Sequence, residues 1–215
     1  MVALPSTDVI LLVRTVLYGA IFILSMFIFA PMANQMNTHD GLCVLYGDAE
    51  AVEGYSEKTT CNYTIAIGVL FGFIYGGIMT VVGVLSLLGK LKKPENFSGV
   101  LFLINVILDL ISFILVLITA CMISVGFQAL CNSLISILQI KSDSCQQVYL
   151  KIPSTGERDE FYTPLAVAEA GAWISFVIWM LQVVIGVFLL WRNNMIPCIK
   201  NNSAASTTAT TDDRY

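Results

Sequence analysis

The sequence predicts an all-α membrane protein: four transmembrane helices in a bundle, both termini cytosolic, and two disulfide-stapled loops on the luminal or extracellular side. Three observations predict it. The 215-residue chain is 57% hydrophobic and only 12% charged, with a mean hydropathy of +0.80, a composition that cannot clothe a soluble surface. Four apolar runs, 9–30, 65–89, 100–123 and 165–191, are each long enough for a hydrocarbon core that takes about 20 helical residues to cross. Basic residues and cysteines then sort to opposite ends of those runs. The same composition excludes a nucleic-acid binder, because 11 Lys plus Arg against 15 Asp plus Glu give a net charge of -4 and no basic stripe to track phosphates.

The first run follows a short N-terminal stretch, 1–8. It is too long for a signal-peptide apolar region, has no Lys or Arg before it and carries Arg14 inside it, so it reads as a retained helix. An outer loop, 31–64, leads to the second helix, 65–89. The turn 90–99 holds Lys90, Lys92, Lys93 and Pro94, and Arg192 and Lys200 follow the fourth helix. This basic crowding marks that side as cytosolic. The third helix, 100–123, runs out into the second outer loop, 124–164. The outer loops carry Lys58, Lys141, Lys151 and Arg158, mostly away from the helix ends and outnumbered by acids such as Asp48, Glu53, Glu57, Asp143 and Glu160. Beyond the third helix, Phe127, Leu130, Leu134, Ile137 and Leu138 keep a helical spacing. That stretch either prolongs the helix or bends onto the surface, and a docked cap anchored by Cys131 is the reading preferred over a partner-binding helix. The fourth helix, 165–191, ends in a Ser/Thr-rich tail, 192–215, that reads as disordered and phosphorylatable.

Cys43 and Cys61 fall in the first outer loop and Cys131 and Cys145 in the second, where an oxidising compartment favours disulfides. Four cysteines allow three connectivities, and the sequence leaves the choice open. Pairing within loops, 43 with 61 and 131 with 145, would close short loops of a size that stabilises by about 3 kcal/mol. No Cys-x-x-Cys is present to suggest redox chemistry. Cys121 reads as a buried small hydrophobe, and Cys198, just past the fourth helix, as a palmitoylation candidate. Of the sequons at Asn62, Asn96 and Asn201, only Asn62 falls on the luminal side, close to the second helix.

Within the membrane, Gly68, Gly72 and Gly76 recur at spacing four, with Gly77 and Gly83 nearby, giving a face on which another backbone can approach closely. This seam reads as packing within the bundle, with a lipid-facing dimer interface as the alternative; Ala168, Ala172 and Ser175 make a second small face on the fourth helix, and one way to pack both is against each other. Three ionisable groups fall in or near the spans. Arg14 is within snorkelling reach of the headgroups and Glu169 lies near a helix end. Asp109 sits near the middle of the third helix with Asn105 one turn before it. An intramembrane carboxylate is a functional candidate by default, as a proton or cation site. Its structural reading is an ion pair with Arg14, or a hydrogen bond to a neighbour such as Gln182, serving assembly.

No enzyme constellation emerges and no cofactor is implied. His39 is the sole histidine, so histidine-based metal sites are absent. There is no Gly-x-Ser-x-Gly elbow, and 83–90 only superficially resembles a phosphate loop, since Leu91 stands where Ser or Thr is required.

The stretch from Cys121 through Gly126-Phe127-Gln128 to Cys131, then Ser144-Cys145, Glu160-Phe161-Tyr162, Ala168-Glu169, Trp173 and Trp179, resembles the transmembrane protein 179 family, closest to its B-type members. Gly41-Leu42-Cys43 and Cys61-Asn62-Tyr63 resemble that family's two loop-one cysteine segments. The resemblance implies a four-span protein with both ends cytosolic and Cys43, Cys61, Cys131 and Cys145 as its luminal cysteine pattern; it brings no activity. Claudins fit less well, because their first-loop Trp and Gly-Leu-Trp signature is missing. The expected function is therefore a non-catalytic scaffold or accessory subunit in the plasma membrane or secretory and vesicle membranes. Its expected partners are the lipid bilayer and a membrane protein or a second copy. The alternative is a small transporter or channel component using Asp109.

Overall fold

The computed structural model of the protein describes residues 7–38, 43, 45, 58–89, 99–138, 150–151, 158–159 and 162–192. Among the described residues, four helices are long and apolar enough to cross a membrane: Asp8–Asn37, Thr59–Leu87, Val100–Ser133 and Tyr162–Arg192. The first belongs to α1 (Thr7–Thr38). The second is a composite of α2 (Lys58–Ile67), a π-helical segment (Gly68–Tyr75) and α3 (Gly76–Leu87). The third is α4 (Gly99–Leu138) and the fourth α5 (Tyr162–Arg192). Two short strands, β1 (Leu150–Lys151) and β2 (Arg158–Asp159), pair antiparallel between α4 and α5.

Every span outruns its apolar run. The run 9–30 stops at Pro31, yet α1 continues through it to Thr38. Pro31 forfeits one backbone hydrogen bond, but the turns beyond it bury Met32 and Gln35, and that packing holds the helix together past the proline. The composite second span likewise begins at Lys58 because Cys61 and Thr64 on its first turns are buried. The region after 123 prolongs α4 as one continuous helix to Leu138. A 40-residue helix rises about 60 Å, twice the hydrocarbon thickness, so this end stands above the bilayer. It is also docked, through Phe127 and Leu130, in an outer core with Met32, Cys43, Leu45, Cys61 and Leu165.

The faces turned outward are apolar all along the bundle: Val16, Ile23, Leu70, Ile78, Ile104, Ile118, Ile174 and Val184 are each about half exposed. Such a belt would aggregate in water and is what a lipid-facing surface requires. Inside, α1 packs against the composite span on one side and α5 on the other, and α5 packs on α4. α2, at the loop end of the bundle, closes the ring onto α4.

The glycine face of the second span lies on α1, not on the small face of α5. A Cβ at Gly72 would run into Ser25 and one at Gly83 into Thr15, while one at Gly76 would sit 3.2 Å from Ile21. The π segment explains how the glycines stay aligned. Spacing four overshoots a 3.6-residue turn by about 40° at each step, and the wider π turn takes up the overshoot, so Gly68, Gly72, Gly76 and Gly83 all reach α1. The small residues of α5 serve elsewhere, Ala172 joining Ile28, Ala120 and Ile123 in a separate core. Cys121 is exposed, not buried. It lies two residues, about 200° of helix, from both Thr119 and Ile123, which face inward at 1% and 0% exposure.

Candidate functional site

Polar residues from all four spans meet in one buried cluster. Asp109, ten residues into α4 and about 15 Å along its axis, is fully buried. Its Oδ2 pairs with Arg14 Nη2 at 2.9 Å. Tyr18, one turn after Arg14 on the same face of α1, donates its hydroxyl to the carboxylate, with 2.7 and 2.8 Å to the two oxygens. Tyr75, the last π-helical residue, reaches Oδ1 at 2.9 Å and Asn105 Oδ1 at 2.9 Å. From α5, Gln182 accepts from Arg14 Nε at 3.3 Å and donates to the Arg14 carbonyl oxygen at 2.9 Å. Gln182 thus holds the arginine, not the carboxylate.

Aromatic rings seal this cluster. Trp179 is fully buried, stacks on Tyr75 at 5.8 Å with the planes 4° apart and meets Tyr18 edge-on at 6.2 Å. The Arg14 guanidinium lies 5.6 Å from the centres of both Tyr18 and Phe102, where ring faces favour a cation. A charge pair at this depth survives because each member has several partners; a lone charge in hydrocarbon would cost several kcal/mol. The hydroxyls around the cluster mostly turn back on their own helices, as Ser112 does to the Leu108 carbonyl at 2.8 Å and Thr119 to that of Leu115 at 2.9 Å. Arg14, Tyr18, Asn105, Asp109 and Tyr75 therefore form the polar core by themselves, with Gln182 completing it.

At the loop end, a second polar contact joins α4 and α5. Ser124 donates to Glu169 Oε1 at 2.6 Å and accepts from Trp173 Nε1 at 2.9 Å. Glu169 is thus held at a helix-helix contact.

The stapled outer layer completes the geometry. Cys43 and Cys61 form a disulfide, both buried and packed with Leu45 against the ends of α1, α4 and α5. Cys131 is also disulfide-bonded; Cys145 lies outside the described residues. A four-span bundle with a buried loop-one disulfide is the setting in which family membership can be judged. The chain matches the family model for the transmembrane protein 179/179B claudin domain over residues 10–211. It belongs to that family.

Relatives in the family include transmembrane protein 179B of Danio rerio, 27% identical over 81% of each chain. The Homo sapiens protein of the same name is 27% identical over 86% of this chain and 84% of the relative, and that of Mus musculus 26% identical over 80% of each. No solved structure matches. The description of the family model carries the claudin name, while the chain lacks the first-loop signature of claudins themselves. The Trp and Gly-Leu-Trp that this chain lacks are an outer-loop signature, whereas the match extends over all four spans.

The remaining sequence-predicted positions fall as follows. Gly68, Gly72 and Gly76 form the α1 contact. Asn62 is exposed on α2, while Thr64 of the same sequon is fully buried and donates to the Thr60 carbonyl at 3.1 Å. Asn96, Asn201, His39 and Cys198 lie outside the described residues. Among the described residues no group of three His, Cys, Asp or Glu side chains could hold a metal ion. Sequence reasoning found Arg14, Asn105, Asp109 and Gln182 by their polarity but missed Tyr18, Tyr75 and Trp179, which look like ordinary apolar residues in a hydropathy reading. One signal was available, since Tyr18 follows Arg14 at the spacing of one helical turn.

Proposed function

We propose that the protein is a non-catalytic tetraspan scaffold or accessory subunit, with both termini cytosolic, that works by presenting its stapled outer layer to a membrane-protein partner or a second copy. One observation supports this reading above the others: Asp109 is fully buried with both oxygens engaged by Arg14, Tyr18 and Tyr75. A transporting carboxylate has to release its partners in each cycle, and separating a buried, hydrogen-bonded ion pair costs several kcal/mol. Here the pair ties two spans together, Tyr75 adds a third and Gln182 the fourth, an arrangement suited to fixing one geometry. Transport sites more often combine broken helices with several polar groups in repeated halves, and the sequence carries no such repeat.

The test is affinity purification from native membranes in gentle detergent, with mass spectrometry of proteins retained near stoichiometry and size measurement of the purified complex. A recurrent partner or a stable homo-oligomer is the expected result. A monomer without partners, combined with a solute or proton flux in reconstituted vesicles that Asp109→Asn abolishes without changing assembly, would overturn the proposal in favour of a transporter.

A further inference from the structure

The buried serine and threonine hydroxyls of the spans return to carbonyls of their own helices, as Thr15, Ser25, Thr64, Ser86, Ser112 and Thr119 all do. Ser175 is the exception. It is 2% exposed, and its Oγ has no hydrogen-bond partner among the described residues. One turn further along the same face of α5, the indole Nε1 of the fully buried Trp179 is likewise without a partner there. Buried tryptophans usually find an acceptor for that N–H, and a donor left unmet inside a membrane span is costly.

Both residues line one cavity of about 10 Å³ in the interior of the bundle, and every residue around it is buried. Gly68 and Gly72 of the π-helical segment give it a wall without side chains, while Ser25 of α1 and Thr119 of α4 supply its other polar side chains. The volume is that of about one water molecule. Donors and acceptors also balance. Ser25 and Thr119 commit their hydrogens to the carbonyls of Phe22 and Leu115, at 2.7 and 2.9 Å, so toward the cavity they can only accept, whereas Ser175 and Trp179 have hydrogens to give. Two donors facing two acceptors match the two lone pairs and two hydrogens of water. A cation does not fit, because an indole N–H offers no lone pair, and a larger solute has no room. Immobilising one water costs less than leaving two buried donors unmet. We infer that this cavity binds one structural water, which accepts from Trp179 Nε1 and Ser175 Oγ and donates to Ser25 Oγ and Thr119 Oγ1. That water joins α1, α4 and α5 at a second level of the bundle and holds in place the indole on which Tyr75 stacks and which Tyr18 meets edge-on.

The experiment uses the full chain, isotope-labelled at nitrogen and perdeuterated with its exchangeable sites protonated, in nanodiscs of deuterated phosphatidylcholine. Nuclear magnetic resonance reads the indole N–H of Trp179, one of three tryptophans, assigned because Trp173→Phe and Trp191→Phe each remove one of the other two signals. In the wild type that N–H is expected to show a nuclear Overhauser cross-peak to the water resonance. The cross-peak should persist in Ser175→Ala, where the water keeps Trp179, Ser25 and Thr119, and disappear in Ser175→Val, whose methyl groups fill the cavity. No cross-peak in the wild type overturns the inference and shows the cavity to be dry. Loss in Ser175→Ala overturns it by tracing the signal to the exchanging serine hydroxyl, and retention in Ser175→Val does so by placing the water elsewhere.

Discussion

Replacing Asp109 by Leu removes the acceptor on which Arg14, Tyr18 and Tyr75 converge. The largest consequence falls on Arg14, whose guanidinium cannot shed its charge and is 7% exposed. Breaking a buried pair by deleting one partner costs about 3–5 kcal/mol. Tyr75 keeps Asn105 Oδ1 at 2.9 Å and should lose little. Tyr18 loses its acceptor, which adds about 0.6 kcal/mol on the scale measured for hydrogen bonds between membrane helices. Asp109→Leu should therefore cost about 4–5 kcal/mol. Arg14→Met should cost less, because the remaining carboxyl can bind a proton and still be met by two tyrosine hydroxyls. The double variant, with an apolar pair in place of a charged one, should return most of the loss, giving a coupling of at least about 2 kcal/mol. Reversible unfolding in mixed micelles, titrated with a denaturing detergent and followed by circular dichroism, measures all four corners of the cycle. A cost below about 1 kcal/mol for Asp109→Leu, or a double variant equal to the sum of the singles within about 0.5 kcal/mol, would refute the reasoning.

Gly72→Ala sets a methyl group against Ser25 Cβ and should destabilise by about 1–3 kcal/mol through overpacking; adding Ser25→Gly should recover part of that loss, which a thermal melt of the purified pair would detect. Replacing both Cys43 and Cys61 by Ser opens a link between residues 18 apart in sequence and should cost about 3 kcal/mol, read as a melting temperature below that of the unreduced wild type. Cys121, a free thiol, should react with a membrane-soluble maleimide in the folded protein, whereas Cys43 and Cys61, joined in a disulfide, should not; an inert Cys121 would contradict its outward placement.

The number and order of the spans could be read directly, because hydropathy over some twenty residues reports the cost of leaving backbone in lipid. Helix ends could not, since the turns beyond Pro31 and before Ile65 are held by tertiary contacts of Met32, Gln35, Cys61 and Thr64, and those are invisible along the chain. The glycine face was legible as a packing surface, but nothing in its spacing says which helix it meets, and the π-helical turn that aligns it has no compositional mark. Asp109 and Arg14 stood out because charge is rare in lipid. Their tyrosine partners did not, because an aromatic residue becomes a polar ligand only when the fold aims its hydroxyl at an acceptor. Cys121 was misjudged through its residue type; the helical phase of Thr119 and Ile123 would have placed it on the outside.

Arg14 and Asp109 are 95 residues apart in sequence, and Arg14 and Gln182 are 168 apart. A chain made from its N-terminus delivers the arginine to the membrane long before either companion exists. At about 5–20 residues per second, Asp109 trails Arg14 by roughly 5–20 s, during which the first helix carries a cation that must reach toward the headgroups for water. The third helix brings the guanidinium its counter-ion, and Gln182 on the fourth completes its hydrogen bonds. Neutralisation of the first helix is thereby tied to arrival of the third. A nascent or truncated chain lacking the third helix would display an unpaired charge inside the bilayer, a mark by which membrane quality control could tell unfinished molecules from finished ones.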